Sequence, residues 1–162
     1  MIVGMSYKKV AEMSTRMNRA EMGVATPTSF HDKKTYFEFL SHFETRNLEK
    51  IEAGVLNYFH ATAKINASHP INAATQGVGY YSDIILPIAQ SLDGFTRQNY
   101  IILAGEYQGT EWVTSTGYFY GHFNKPLFGI PPSNRMAFLR FGEFHKIENG
   151  EKMFIYQAYS AF

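Results

Sequence analysis

The last third of the chain, Glu106 to Tyr159, most constrains the fold, because three β-rich runs follow one another there. The first two span Thr110 to Phe123 and Met136 to Ile147, and a long loop containing glycine and proline joins them. Their aromatic and hydroxylated residues favour pleated strands. An Asn-Gly pair, which favours tight hairpin turns, leads into the third run, Lys152 to Ser160. The order predicts a curved antiparallel sheet that forms the wall of a small-molecule pocket.

Alternation within the runs assigns side chains to faces. Gly117 and Gly121 interrupt the first run and predict bends or bulges. In the second run, one face is the more core-like and carries Leu139, Phe141, Glu143, His145 and Ile147. The sequence therefore predicts that one acid and one histidine share a mostly apolar face.

Helical patterns precede these runs. Ser29 followed by Asp32 resembles a helix N-cap, and an apolar stripe with helical spacing, continued or restarted after a break, follows it. The stripe comprises Tyr36, Phe39, Leu40, Phe43, Leu48, Ile51 and Val55. The segment from Tyr58 to Asn72 is predicted to be extended.

A second helix is predicted from the apolar stripe between Tyr81 and Leu92, with Pro87 kinking or shortening it and Gly94 closing it. A short strand, Tyr100 to Ala104, then completes a four-strand antiparallel meander.

Composition narrows the class of protein. A length of 162 residues predicts one domain, residues 29–162, preceded by an arm, residues 1–28. An aromatic content of 16% predicts a core or cavity lined with rings, and a net charge of +1 argues against nucleic acid as a partner. The absence of cysteine excludes thiolate chemistry, and no long apolar run predicts a membrane span. We expect a soluble, cytoplasmic protein.

Spacing gives no sign of a metal or a nucleotide. The six histidines show no compact ligand pattern, and Gly77-Val-Gly79 lacks the further glycine or Lys-Ser/Thr of a phosphate loop. We predict no metal site and no cofactor.

Glu143 and His145 are the candidate catalytic pair, because residues two apart on a strand share a face. A metal-free aldol or isomerisation needs a base beside a carbonyl and a donor that stabilises the enolate oxygen. An apolar surround would raise the pKa of Glu143 and a neighbouring imidazole would counter that shift. Alternatively, Glu143 pairs with Arg97, Arg135 or Arg140, and His145 caps the end of the sheet.

Trp112 and Tyr118 are candidates for stacking on a flat ligand, because aromatic walls bury large areas. Core packing or a dimer face is the alternative for these rings.

Five stretches together resemble a known family, in their order and spacing. They are His69 to Asn72, Ala104 to Gly117, Phe128 to Pro132, Leu139 to His145 and Ile147 to Gly150. Across roughly Tyr36 to Tyr159, the chain resembles the SnoaL-like polyketide cyclase family of the broader nuclear-transport-factor-like group.

The resemblance implies an α+β, cone-shaped nuclear-transport-factor-like fold, in which N-terminal helices pack on a curved antiparallel sheet that encloses a pocket. It also implies a homodimer formed through the outer sheet face, and a small hydrophobic molecule as the partner. In this pattern His145 takes the place of the histidine near the catalytic acid. Ser160 stands where that acid is expected, and Phe119 stands where histidine is frequent.

His69, Phe119 and Ser160 are the further substrate-binding residues implied by the resemblance. The family pattern turns Ser115 and Phe119 toward the cavity, whereas the stacking hypothesis needs the opposite face with Trp112 and Tyr118. Relatives usually continue beyond the position of Phe162, where a further segment would close the pocket.

Two functions are open at this level. One is a cofactor-free cyclase or isomerase that uses general acid–base chemistry on a hydrophobic, carbonyl-containing, polyketide-like substrate. The other is a non-catalytic binding or accessory domain that keeps the cavity but has lost the acid.

Overall fold

The computed structural model describes residues 27–69, 71–72, 74–148 and 152–161, with side chains described from His31 to Met153. Residues 1–26, which make up nearly all of the predicted arm, lie outside this range. So does the Asn149-Gly150 turn, although the strands on either side of it pair in antiparallel register from Glu148 and Lys152 onward.

Two helices begin the described chain, α1 (Pro27–Glu44) and α2 (Leu48–Tyr58). Helix α1 begins two residues before the predicted cap at Ser29, with a proline in its first turn, where the missing N–H has no helical partner. The predicted break falls at residues 45–47, and the Asn47 side chain caps α2 by accepting from the Lys50 amide at 3.1 Å.

The second helical region is in two parts. A π-helical turn, Tyr80–Ile85, leads into α3 (Leu86–Ser91), where Pro87 lies in the first turn. The apolar stripe is confirmed, because Tyr81, Ile84, Ile85 and Ile88 are all buried.

The residues that the structure describes form six strands: β1 (Phe59–Ala67), β2 (Ala74–Gln76), β3 (Leu92–Tyr107), β4 (Thr110–Phe123), β5 (Arg135–Glu148) and β6 (Lys152–Ala161). They lie in one sheet in the order β2-β1-β6-β5-β4-β3. All neighbours are antiparallel except β1 and β6. The predicted α+β architecture, with N-terminal helices packed on a curved antiparallel sheet, is confirmed, and so is the meander of β3 to β6.

The prediction that Gly94 closes the second helix was wrong. Helix α3 ends at Ser91, whose buried hydroxyl donates to the Pro87 carbonyl at 2.9 Å and to the Pro126 carbonyl at 3.0 Å. Strand β3 begins at once with Leu92, so it is much longer than the strand predicted from Tyr100 to Ala104. Gly94 lies inside β3 with a φ of +70°, which glycine adopts without strain.

Bulges occur beside the glycines of β4, but on the neighbouring strand. The register of β3 against β4 shifts between Asp93 and Thr96, opposite Gly121, and between Asn99 and Ile101, opposite Gly117. A Cβ on Gly117 would collide with the Gln98 carbonyl oxygen and lie 2.7 Å from the Phe141 ring. The glycine therefore lets β3 approach closely while β4 and β5 keep an unbroken register.

Alternation sets the inner face of the sheet. The odd-numbered residues of β4 from Val113 to Phe123 are buried, and so are Leu139, Phe141, Glu143, His145 and Ile147 of β5, as predicted. Helix α1 contributes Tyr36, Phe39 and Phe43 to the same core. Among the described residues, no helix has the length and apolar character that crossing a membrane requires.

Candidate functional site

Glu143 and His145 lie side by side on the inner face of β5, where neither has any solvent exposure. Strand pairing places Ser115 opposite Glu143 and Val113 opposite His145 on β4. The predicted pairing of an acid and a histidine on one face is therefore present, and it is in the interior of the protein.

Arg97 of β3 forms a two-pronged ion pair with Glu143. Its Nη2 lies 2.6 Å from Oε2 and its Nη1 lies 3.2 Å from Oε1. Both side chains are at most 1% exposed. Two parallel N–H···O bonds fix the relative orientation of the two planar groups as well as holding them together.

Two tyrosines bridge this ion pair. The Tyr80 hydroxyl, from the π-helical turn, accepts from Arg97 Nη1 at 2.7 Å and donates to Glu143 Oε1 at 3.1 Å. The Tyr36 hydroxyl, from α1, accepts from Arg97 Nη2 at 3.0 Å and lies 3.3 Å from Glu143 Oε2. A hydrogen bond of 2.6 Å joins Tyr36 to Ser115. Each tyrosine thus relays a hydrogen bond from the guanidinium to the carboxylate.

His145 completes what we call the polar cluster: Tyr36, Tyr80, Arg97, Ser115, Glu143 and His145. Its Nε2 lies 3.3 Å from Glu143 Oε2, and its ring packs 4.9 Å from the Tyr36 ring and 5.9 Å from the Phe59 ring. Burial lowers the pKa of His145, although its hydrogen bond to Glu143 opposes that effect. The imidazole is accordingly neutral at neutral pH.

The charge state of Glu143 depends on burial and on Arg97, which act in opposite directions. Burial does raise its pKa, but the Arg97 charge and hydrogen bonds from His145 and Arg97 outweigh burial and lower the pKa from 4.5 to about 2. Glu143 is therefore a permanent carboxylate at neutral pH. Both effects expected from the sequence are present, but the strongest lowering influence is the guanidinium of Arg97, one of the alternative partners predicted for Glu143.

The donors around Glu143 keep their protons. Burial raises the pKa of Tyr36 and of Tyr80, and nearby Arg97 only partly opposes this. Burial alone would lower the pKa of Arg97, but Glu143 more than compensates and raises it. At neutral pH the cluster holds one positive charge, one negative charge and two neutral phenols.

Aromatic rings enclose the guanidinium. The Arg97 Cζ lies 4.4 Å from the Phe141 ring centroid, 5.0 Å from Phe43 and 5.4 Å from Phe119. The Phe119 ring packs 4.6 Å from Phe141 and 5.8 Å from Phe95, measured between ring centroids. A desolvated cation over aromatic faces is stabilised electrostatically.

Of the other predicted site residues, Phe119 contacts Arg97, and the rest are not part of the polar cluster. Trp112 and Tyr118 lie on the opposite face of β4 from Ser115 and Phe119, as the alternative of a dimer face requires, and their part in binding a ligand stays a prediction. The period of two in β4 decides this, because Val113 and Phe119 are buried among the core. His69 is exposed after β1, away from the cluster, whereas Ser160 pairs in register with Phe141, with its side chain outside the described set.

Arg97, Tyr36 and Tyr80 are the cluster members that sequence reasoning did not assign to a site. Tyr36 was counted as part of an apolar helical stripe, and Arg97 as one of three possible partners for Glu143. A signal for Arg97 is its position in a strand opposite Phe119, on the face that the family pattern turns inward. Tyr80 carries no comparable signal, because it reaches the cluster only through the π-helical turn.

A cleft of about 340 Å³ opens elsewhere on the surface. Its walls come from the α1–α2 connection, the end of α3, the start of β3 and the residues after β4, and none of its lining residues belongs to the polar cluster. Phe95 lines the cleft and packs on Phe119, which in turn contacts Arg97. Among the residues that the structure describes, no group of three or more His, Asp or Glu has an arrangement suited to a metal ion.

Comparison with solved structures identifies the fold. A candidate SnoaL-like polyketide cyclase from Jannaschia sp. CCS1 aligns with a TM-score of 0.67 at 11% identity, over 85% of this chain and 90% of the other. An NTF2-like protein from Burkholderia thailandensis E264 aligns at 0.59 and 10%, over 85% and 92%. A candidate hydroxylase from Streptomyces galilaeus, AclR, aligns at 0.63 and 10%, over 82% and 79%.

Identities this low establish the fold alone. No protein-family model matches the sequence, and no curated protein matches it.

Proposed function

From its SnoaL-like, nuclear-transport-factor-like fold, we propose that this protein is a cyclase or isomerase that uses general acid–base chemistry on a small, hydrophobic, carbonyl-containing molecule. The observation that carries the proposal is the polar cluster itself. A neutral imidazole, a carboxylate, a guanidinium and two phenols lie within hydrogen-bonding distance inside an apolar core. Strongly perturbed titratable groups gathered at one place are typical of functional sites.

His145 is the proposed base. A carboxylate can only accept, so the Nε2 that lies 3.3 Å from Glu143 must carry the proton. A neutral imidazole protonated on Nε2 presents its lone pair on Nδ1, the atom that would take a proton from the carbon beside the substrate carbonyl. Glu143, held ionised by Arg97, would fix this tautomer and stabilise the imidazolium that forms.

Tyr36, Tyr80 and Arg97 are the proposed donors to the enolate oxygen. Their raised pKa values keep all three protonated, and a dry surround strengthens donation to developing negative charge. Because Glu143 now accepts from each of them, the substrate oxygen would have to take over part of this donor set. In this proposal Glu143 positions the imidazole of His145 and neutralises the charge of the imidazolium, and it does not itself transfer the proton.

A substrate reaches the cluster only if rings move. The proposed route leads from the surface cleft past Phe95 and Phe119, because Phe95 lines the cleft and Phe119 contacts Arg97. Rotation of two aromatic side chains would join the cleft to the interior. Such small rearrangements commonly admit substrate and exclude water.

A non-catalytic binding or accessory domain is the second candidate. Two observations favour it: Glu143 already receives bonds from Arg97, Tyr80 and His145, and Ser160 stands where the family pattern expects an acid. Activity created by Ser160→Asp in a protein otherwise inert would identify this chain as a decayed enzyme.

The test is proton exchange in D₂O, followed by NMR on a panel of 1-tetralone and 2-acetyl-1-naphthol derivatives. We expect protein-dependent exchange that falls by about 10²-fold or more in His145→Gln, the size of a general-base contribution. Tyr118→Phe, which removes a hydroxyl from the outer face of β4, is the matched control and should leave the rate unchanged. Exchange at the buffer rate, or exchange that His145→Gln leaves intact in a folded protein, would refute the catalytic proposal.

A homodimer formed through the outer sheet face also belongs to the proposal. Aromatic contacts on this face join Tyr118 to Tyr100 and to Phe138, which is 61% exposed. Exposed apolar patches of this kind mark interfaces. Sedimentation equilibrium should give a dimer that Phe138→Glu dissociates and Lys50→Glu, on the exposed surface of α2 and away from the sheet face, does not. A cytoplasmic location stays a prediction.

A further inference from the structure

We infer that the surface cleft is a binding site for an aromatic monocarboxylate, separate from the polar cluster. Its size falls at the lower end of small-molecule pockets: about 340 Å³, enough for a two-ring acid. This inference goes beyond the proposed function, because it needs no catalysis and no opening of the interior.

The floor of the cleft is built rather than accidental. Ser91 ties the end of α3 to the loop after β4 through its hydroxyl bond to the Pro126 carbonyl at 3.0 Å, and the Asn124 amide donates to the Ser91 carbonyl at 3.2 Å. The register of β3 shifts after Asp93, Gly94 has a positive φ, and a Cβ at Gly94 would meet open space. The bonds of Ser91 join two of the four walls, the end of α3 and the residues after β4, without a ligand.

The charged side chains that line the cleft favour an anionic ligand. Arg46 and Lys125 line the cleft with one acid, Asp93, so its net charge is +1. Within the described part of the chain none of the three takes part in an ion pair. Two unneutralised cations match one carboxylate, and Asp93 would repel the second charge of a dianion such as a phosphate monoester.

The apolar side chains that line the cleft favour a ligand with an aromatic ring. Leu92, Phe95 and Leu48 line the cleft between the charged side chains. Phe95 is half-buried, and its ring stacks on that of Phe119 with the centroids 5.8 Å apart. Because Phe95 also lines the cleft, a flat ligand there would contact its ring while the carboxylate lies between Arg46 and Lys125.

The experiment uses 2-naphthoate as the probe, with neutral 2-naphthamide and dianionic 2-naphthyl phosphate as controls. Isothermal titration at low salt should give saturable naphthoate binding with a Kd of about 1 mM or below, as expected for a ligand of this size. Naphthamide should bind at least about five-fold more weakly, because it lacks the charge. Amide NMR shifts should change at Gly94, Phe95 and Asn124.

Substitutions locate the carboxylate. Arg46→Gln and Lys125→Gln should each weaken naphthoate binding about five-fold, the size of one exposed ion pair. Arg46→Lys should largely restore it. Exposed Lys64→Gln on β1 is the matched control and should change nothing. Asp93→Asn should strengthen 2-naphthyl phosphate binding more than naphthoate binding.

The proposed site in the cleft would be refuted if naphthoate does not bind or if naphthamide binds equally well. It would also be refuted if naphthoate binding survives loss of both Arg46 and Lys125. Naphthoate binding lost in His145→Gln but kept in Arg46→Gln would place the ligand in the interior instead. If the wild-type protein shows no exchange activity but binds naphthoate, the proposed enzymatic function is refuted and the inferred carboxylate site is not.

Discussion

Removing Arg97 should destabilise the protein by an amount that the ion pair itself determines. In Arg97→Met the buried Glu143 carboxylate keeps two tyrosines and an imidazole but loses its only full positive charge. Breaking one side of a buried pair typically costs about 3–5 kcal/mol, out of a total stability of about 5–15 kcal/mol. The pKa of Glu143 gives an independent figure: lowering it from 4.5 to about 2 corresponds to about 3 kcal/mol.

The assay is urea unfolding at pH 7, followed by circular dichroism, for Arg97→Met, Glu143→Gln and the double variant. Each single variant should lose about 3 kcal/mol or more, while the double variant should lose less than the sum by about 2 kcal/mol, because no unpaired charge remains. Arg140→Met, on the exposed face of β5, is the control and should change stability by less than about 0.5 kcal/mol.

Acid provides the second readout. The folded pKa of Glu143 is depressed, so its contribution is complete above 4.5 and disappears as the pH falls through 4.5 toward 2. The stability difference between wild type and Glu143→Gln should shrink across that window. Single losses that add within about 0.5 kcal/mol, or a difference that is constant with pH, would refute the reasoning.

Three further predictions concern single positions. Asp32 is buried, and burial together with repulsion from Glu111 raises its pKa from 3.8 to about 6. A carboxyl group whose pKa is raised on folding destabilises the folded state as the pH rises through that range. Asp32→Asn should therefore increase the free energy of unfolding by about 1–3 kcal/mol at pH 7 and by little at pH 3. Gly117→Ala should lose about 2 kcal/mol or more in urea unfolding, because its Cβ collides with the Gln98 carbonyl. The pKa of His145 is lowered in the folded protein, so the free energy of unfolding should fall as the pH drops below about 6.5. In His145→Gln this pH dependence, measured by urea unfolding, should be weaker. A dependence as steep as that of the wild type would contradict the assignment.

Most of the sheet could be predicted from the sequence because its signals are local. Alternation over β5 placed Glu143 and His145 on one buried face, and Gly117 and Gly121 marked the positions where the ladder is irregular. The boundary at Gly94 was mispredicted, since a glycine after a helical stripe is compatible with both a helix end and a bulge. Contacts of Ser91 with a loop 35 positions away, not local propensity, end α3.

The candidate site was only half predictable, because its other half depends on long-range contacts. The partners of Glu143 lie 46, 63 and 107 positions away, at Arg97, Tyr80 and Tyr36. A tyrosine in an apolar helical stripe carries no mark of what its hydroxyl will meet. The direction of the pKa shift of Glu143 therefore could not be assigned, because it depends on a guanidinium that only the order of strands in the sheet, with β4 between β3 and β5, brings within 2.6 Å.

The sequence by itself determined the α+β class, the order of helices and strands, and which side chains of each strand share a face, because these follow from periodicities of 3.6 and 2 residues. It did not determine which face of β4 turns inward, since both carry aromatic rings. The tertiary structure decided that, by packing Phe119 against Arg97, Phe95 and Phe141 and leaving Tyr118 on the other face. The polar cluster forms because folding desolvates these residues and brings opposite charges together, and no local sequence pattern encodes either effect.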